Sequence, residues 1–387
     1  MNSETSRALL PAGLTDLLPP EAGHSAETIE RLLACFSGHG YERVKPPLIE
    51  FEDQLLHGSA AALARDTFRL MDPVSQQMMG LRADITMQVA RIAASRLTKS
   101  PRPLRLCYAG DVFRVKGAQL RPERQFTQVG FELIGAPSAA ADVETVLLAA
   151  SALRDAGVER LSVDLSSPTL VPVLCAGLDL GENASAALRQ ALDLKDAGAV
   201  AAAAGKHEAL FCGLLAAAGP ASQALKSIEA LKIPKSARKE TQRLAEVTRA
   251  ILAAQPGLSL TIDPVENRGF EYHTGVGFTI FAPGVRGELG SGGRYLAGAP
   301  NCNPEPATGG TLYLETILRA LPKPVGLRRL FLPFGTKDAE GQAQREAGWI
   351  TLSGLDKGLE AEAEARRLGC SHLLVGDEPI ALIEKDD

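Results

Sequence analysis

Gln128 and Glu132 are the side chains in this chain best placed to do chemistry. They lie on Gln125–Ile134, a run whose period-two alternation predicts a β-strand. On that strand Phe126, Gln128, Gly130, Glu132 and Ile134 share one face, and Thr127, Val129, Phe131 and Leu133 share the other. The second set is an ordinary core face. The first carries an amide and a carboxylate on either side of a glycine, which leaves room for a small ligand between two polar groups. Periodicity alone fits this binding floor and a half-exposed sheet with a polar outer face equally well.

Asp84, in Leu81-Arg82-Ala83-Asp84-Ile85-Thr86, opens a predicted helix, so it suits an N-cap as well as a ligand contact. Arg114 closes the strand before the loop that leads to Gln125. Its planar fork suits a carboxylate, and a surface arginine at a strand end is equally common. His273 has a charge that varies near neutral pH, although a lone histidine on a strand is usually structural. The glycines of Gly287–Tyr295 are by themselves a weak sign of a phosphate loop and more often mark a tight turn.

The elements that must position these residues follow from pattern. A helix is predicted over Glu27–His39, then a proline-broken strand over Tyr41–Glu50, short strands at Thr67–Asp72 and Met79–Arg82, and a helix over Asp84–Leu97. Strands at 104–114 and 125–134, a helix over Asp142–Ala156 and a strand at Leu161–Leu165 complete this half. Residues 168–258 are rich in Ala, Leu and Lys and read as a mainly helical insertion. Strands return at Leu258–Ile280 and Gly287–Tyr295, with a helix over Thr311–Leu321. The expected organisation is a core in two parts (1–167 and 259–322), the insertion at 168–258, and a short α/β domain at 323–387 with strands at Arg328–Phe334 and Ser371–Val375 around a helix over Gly358–Leu368.

With 387 residues, 45% apolar and 22% charged, the chain has the composition of a soluble globular protein. Its formal net charge of −5 makes the whole molecule a poor attractor of phosphate backbones. Six cysteines without a C-x-x-C pair suggest neither a zinc site nor a disulfide framework, and point to a reducing, cytoplasmic setting. No metal or cofactor is expected. The N-terminus does not read as a signal peptide, and the Ala-rich pieces near 198–204 and 213–218 read as too short to cross a bilayer.

The stretch Phe113-Arg114-…-Arg124-Gln125-Phe126-Thr127-Gln128-Val129-Gly130-Phe131-Glu132 resembles motif 2 of class II aminoacyl-tRNA synthetases, in the histidyl version. Gly13, Asp16 and Pro19 resemble the entry segment of that family, and 41–50 its motif 1, which there builds a homodimer interface. Arg268-Gly269-Phe270-Glu271-Tyr272-His273-Thr274-Gly275 resembles the histidyl-specific signature, with His273 in place of a second tyrosine. Gly292-Gly293-Arg294-Tyr295 resembles the strand beneath the amino-acid pocket. The resemblance spans roughly 8–322. It implies an α+β fold, with a class II synthetase-like antiparallel sheet flanked by helices. It also implies a histidine pocket in which Asp84 and Thr86 hold the α-amino group, Arg114 and Gln128 meet the polar backbone, Glu132 faces the imidazole, and Arg268, Tyr272 and His273 complete the wall.

Two positions depart from the synthetase pattern. Lys116 stands where a glutamate accepts a hydrogen bond from adenine, and an ammonium only donates. Thr316 stands where motif 3 has the arginine that binds the γ-phosphate, so a cation that stabilises the transition state is gone. The tail from Lys323 carries 9 Lys and Arg against 12 Asp and Glu, a net −3 poorly suited to gripping tRNA. A kept amino-acid pocket, a damaged nucleotide site and a shortened acidic tail together resemble the family of ATP phosphoribosyltransferase regulatory subunits, paralogues of histidyl-tRNA synthetase. That resemblance implies a non-catalytic chain that dimerises and joins a short-form catalytic subunit in a hetero-oligomer. It further implies that the chain is required for the first step of L-histidine biosynthesis and relays feedback inhibition by L-histidine, without tRNA or membrane. An active histidyl-tRNA synthetase and a free-standing amino-acid-binding module are the alternatives.

Overall fold

Pro19 and Pro20 fix the entry to the first helix, and α1 (Glu21–Gly38) starts directly after them, earlier than the Glu27 start predicted from apolar spacing. The structure, a computed structural model, describes residues 10–56, 63–117, 121–266, 272–299, 302–323 and 328–382. Pro46 and Pro47 cut the predicted 41–50 strand into β1 (Glu42–Arg43) and β2 (Ile49–Phe51). The single-turn α2 (Glu52–Leu55) and the antiparallel pair β3 (Arg69–Met71) and β4 (Met78–Leu81) follow. β2, β4 and β3 form a small sheet of their own.

Helix α3 (Thr86–Ser95) begins after Ile85, one residue inside the position at which Asp84 would be the N-cap. The long strands β5 (Leu104–Phe113) and β6 (Gln125–Ile134) come next, then α4 (Ala139–Ala156), which ends at Gly157 in the left-handed region, and β7 (Ser162–Ser166).

The following segment is helical: α5 (Leu170–Gly177), α6 (Glu182–Asp193), α7 (Ala197–Ala204), α8 (Glu208–Ala216), α9 (Ala221–Ala230) and α10 (Arg238–Ala254), interrupted only by the two-residue β8 (Gly219–Pro220) and short 3-10 turns. Ala197–Ala216 forms one helical run of 20 residues with a mean hydropathy of 1.2, enough by length and composition alone to cross a membrane. The pieces themselves are short as expected, α7 of 8 residues and α8 of 9, joined through a 3-10 turn at Gly205–His207. The run is not one straight rod. Gly205 turns the chain with φ 52°, α7 and α8 pack on each other, and Val200, Phe211 and Leu214 are buried in a core shared with α5 and α6.

β9 (Ser259–Asp263), β10 (Gly277–Phe281), β11 (Gly290–Ala297) and β12 (Glu305–Tyr313) complete the main sheet, and α11 (Leu314–Ala320) follows. The nine strands run in the order β1-β5-β6-β12-β11-β10-β7-β9-β8. The centre is antiparallel as expected, but β1 with β5 and β7 with β9 are parallel, so the sheet is mixed. Sequence pattern placed a helix at Thr311 and missed β12, because Pro304, Pro306, Gly309 and Gly310 depress strand propensity. Tertiary packing overrides that preference, and β12 sits between β6 and β11 at the middle of the sheet.

One face of the sheet packs on α1, α4, α9 and α10 through Val129, Phe131, Val163 and Phe278. The other packs on α3 through Tyr108, Phe126, Ile134 and Tyr295. Both faces of β6 are therefore buried, which removes the half-exposed alternative for Gln128 and Glu132. Met1–Pro322 and Lys323–Asp387 are separate compact units. The second unit is β13 (Arg329–Leu332), α12 (Asp338–Glu346), β14 (Ile350–Ser353), α13 (Ala361–Arg367), β15 (His372–Val375) and β16 (Glu378–Ala381), with a sheet in the order β14-β13-β15-β16.

Candidate functional site

Strand register lines up a row across the sheet on the face that bears Glu132. Glu132 pairs with Gly309, Gly309 with Gly293, and Gly293 with Gly277. Three glycines in file leave a trough with the carboxylate at one end. Tyr295 flanks it on one side and Thr311 with Ser291 on the other. The glycines are needed here: a Cβ on Gly309 would lie 1.9 Å from Glu132 Oε2, and one on Gly293 would lie 2.9 Å from His273 Cδ2. Thr86, Glu132, Tyr272, His273, Ser291 and Tyr295 are among the walls of the resulting cavity, whose volume is about 10 Å³. That is room for about one water, so an occupant the size of one amino acid requires the walls to part.

Glu132 is 1% exposed. Tyr108 Oη donates to its Oε1 at 3.3 Å and Tyr295 Oη to its Oε2 at 2.8 Å. Burial pushes its carboxyl up to about 8, with the nearby Asp84 carboxylate acting in the same direction. Burial also holds both phenols well above the ordinary tyrosine value, so they remain donors. Tyr108 is further joined to Thr86 Oγ1 and to Thr311 Oγ1, each at 3.1 Å. A carboxyl whose described partners are hydroxyls rather than cations can donate its proton to a ligand acceptor or, once ionised, take a cation.

The predicted site residues divide into groups. Thr86, Glu132, Tyr272 and His273 meet around the trough; His273 is buried, and Tyr272 stacks on it at 4.2 Å and meets Tyr295 edge-on at 6.3 Å. Gln128 is elsewhere engaged. Its Oε1 accepts from Ile85 N at 3.0 Å and its Nε2 donates to Asp84 Oδ2 at 2.8 Å. Asp84 Oδ1 in turn accepts from Thr86 N at 2.8 Å. The amide thus orients the turn that presents Asp84 and Thr86, and Asp84 borders a second, apolar cavity lined by Leu55, Leu63 and Met87. Arg114 lies off the trough with its guanidinium 5.1 Å from the Phe126 ring. Arg268 lies outside the described residues.

The gap at Gly130 does not hold ligand space. Tyr108 is its cross-strand partner, and a Cβ on Gly130 would stand 2.4 Å from the tyrosine hydroxyl. The room is displaced one row along the sheet, to the glycines of β11 and β12. Sequence reasoning did not find Tyr108 or Thr311, since nothing local marks a buried tyrosine as a hydrogen-bond donor to a carboxylate on the next strand. Arg294, from the same segment as Gly293, points to the opposite face. It donates to Asp142 Oδ1 at 2.8 Å and to the carbonyls of Ala136 and Ser138 at 2.9 Å, fastening β11 to the start of α4.

The family model for histidyl-tRNA synthetase matches residues 13–317. An ATP phosphoribosyltransferase regulatory subunit from Rhodospirillum centenum is 58% identical over 371 residues, covering 96% of this chain and 95% of that protein. One from Paramagnetospirillum magneticum is 53% identical, covering 99% and 100%. The chain belongs to the family of ATP phosphoribosyltransferase regulatory subunits. Among solved structures, an ATP phosphoribosyltransferase regulatory subunit/histidyl-tRNA synthetase from Bacillus halodurans C has the same fold, with a TM-score of 0.79 at 23% identity over 93% of this chain and 96% of that one. Histidyl-tRNA synthetase from Nostoc sp. PCC 7120 has a TM-score of 0.77 at 16% identity, over 95% and 91%. In this regulatory-subunit chain, Thr316 is buried on α11 and accepts from Arg319 at 3.1 Å, while Arg319 pairs with Glu123 at 3.4 Å. Arg121 lies over Tyr313 and Phe126 and pairs with Glu288 at 2.7 Å.

Proposed function

We propose that this chain is a non-catalytic subunit that joins a short-form ATP phosphoribosyltransferase catalytic subunit, supports its activity at the first step of L-histidine biosynthesis, and conveys feedback inhibition by L-histidine bound in the glycine trough. The observation that carries this reading is Glu132: a buried carboxyl held by two tyrosines at the end of a glycine row, without a cationic partner in its described hydrogen bonds. An imidazole fits it, because one ring nitrogen accepts from the protonated acid and an imidazolium donates to the carboxylate. Asp84, behind Thr86 and near enough to act on Glu132, offers the charge for an α-ammonium, while Arg114 offers its fork to an α-carboxylate only on leaving the Phe126 ring. Identity of 58% and 53% with proteins named as regulatory subunits supports the assignment, and an ATP phosphoribosyltransferase complex from Thermotoga maritima contains a chain of the same fold, with a TM-score of 0.59 over 75% of this chain and 97% of that one at 16% identity. On the same reading the chain self-associates and works in the cytoplasm.

Histidine regulates such an assembly only if it binds two of its arrangements with different affinity. Calorimetry with L-histidine on the isolated chain and on the complex, beside an activity assay with and without the chain, tests both halves. The expected results are saturable binding and stimulation that histidine reverses. Absence of histidine binding in both preparations would make the trough a relic. The match to the synthetase family favours a second reading, an active histidyl-tRNA synthetase. It requires histidine-dependent pyrophosphate exchange, and none is expected with Lys116 and Thr316 at the nucleotide positions.

A further inference from the structure

The pair α9–α10, remote in sequence from the trough segments, encloses an open groove of about 790 Å³. Its floor is aliphatic: Leu225 and Ile228 from α9, Leu231 and Ile233 from the connection, Leu244 and Ala245 from α10. Residues 221–250 carry seven Lys and Arg against three Glu, a net +4 in a chain of net −5. The rest of the chain is therefore −9. Two of the cations are spoken for, Arg243 by Asp142 and Arg249 by Glu229. Lys226, Lys232, Lys235, Arg238 and Lys239 are exposed and have no ion-pair partner among the described residues.

We propose that the α9–α10 groove is the docking surface for an acidic, apolar-faced segment of the phosphoribosyltransferase catalytic subunit, an inference that rests on the hetero-oligomeric reading above. The charge pattern selects the occupant. Lys232 and Arg238 line the groove beside Glu229 and Glu246, Lys226, Lys235 and Lys239 stand on the same segment, and this cationic excess about an aliphatic floor matches a segment with carboxylates on its flanks and Leu- or Ile-like side chains beneath, the helix-in-groove mode of recognition. A nucleic acid fits worse: the floor offers no aromatic ring for a base to stack on, and the strongly negative remainder repels a polyanion. Steering by the cations makes association faster at low salt, since exposed charges are screened beyond about 10 Å at 0.1 M.

The test is titration of the full-length chain against the short-form catalytic subunit at two salt concentrations, with wild type, a Lys226→Glu/Lys232→Glu/Arg238→Glu/Lys239→Glu variant, and an Arg96→Glu/Lys99→Glu control on another exposed helix end. All altered side chains are exposed, and circular dichroism checks the fold. The expected result is at least tenfold weaker assembly for the groove variant, a smaller salt dependence than wild type, and no change in the control. Equal assembly by wild type and the groove variant overturns the groove while leaving the hetero-oligomeric reading intact. Failure of wild type to assemble overturns both. Binding of a single-stranded oligonucleotide by wild type that is lost in the groove variant would reassign the groove to nucleic acid and also overturn the proposal.

Discussion

Glu132 combines full burial with an elevated pKa, and that has consequences that can be measured. Between about pH 5 and about pH 8 the folded chain keeps this carboxyl protonated, whereas the unfolded chain, with an ordinary value of 4.5, has released the proton. The native state binds more protons across that window, so the contribution is fully present below 4.5 and is lost as pH rises through about 8. Thermal melts of the ligand-free chain should therefore show Tm falling as pH rises over this range, and Glu132→Gln should flatten the profile. The same substitution keeps the size and the tyrosine contacts but removes the ionisable group. It should weaken L-histidine binding by roughly tenfold or more, the scale of losing a hydrogen bond to a charged group, as read by calorimetry. Unchanged affinity would remove Glu132 from the histidine site.

At the scale of elements, the trough exists because β12 and β11 carry glycine where β6 carries glutamate. Gly309→Ala would place a methyl 1.9 Å from Glu132 Oε2, in a strand paired on both sides. Overpacking of this kind costs about 1–3 kcal/mol, so denaturant unfolding should show a loss of that size together with loss of histidine binding. Arg294 joins a strand to a helix. Its guanidinium is 7% exposed and Asp142 is 2% exposed, and Arg243 reaches only the other carboxylate oxygen at 3.3 Å. Arg294→Met should destabilise the chain by about 3–5 kcal/mol, because it leaves a buried acid short of its main partner. Restoration of most of that loss by adding Asp142→Asn would confirm that the buried charge is the cause.

For the whole molecule, the proposed non-catalytic role rests on the reading of Lys116 and Thr316 as altered nucleotide positions within a synthetase-like fold. Purified chain should give no histidine-dependent exchange of pyrophosphate into ATP at any enzyme concentration that saturates histidine binding. Exchange above background would return the chain to the synthetases. Thr316 is buried on α11, so an arginine in its place would overpack the helix.

Local pattern in the sequence was sufficient for the strand pair 104–113 and 125–134, for α4, for the helical character of the segment after β7, and for the strand face that carries Glu132, because each depends on spacing within a few residues. It also supplied Thr86, Tyr272 and His273, through motifs that keep their order along the chain. Tertiary structure alone decided the rest. β12 was illegible because its prolines and glycines argue against a strand until β6 and β11 pair with it. Gln128 read as a ligand contact, and its amide also joins Ile85 and Asp84, 43 and 44 positions away. The space expected at Gly130 is filled by Tyr108 from the neighbouring strand, and the ligand room opens one row away. Side-chain faces are set by a period of two that the sequence carries. Which neighbour fills a gap is set by strand register, and register between distant segments is fixed only when the whole sheet closes on its core.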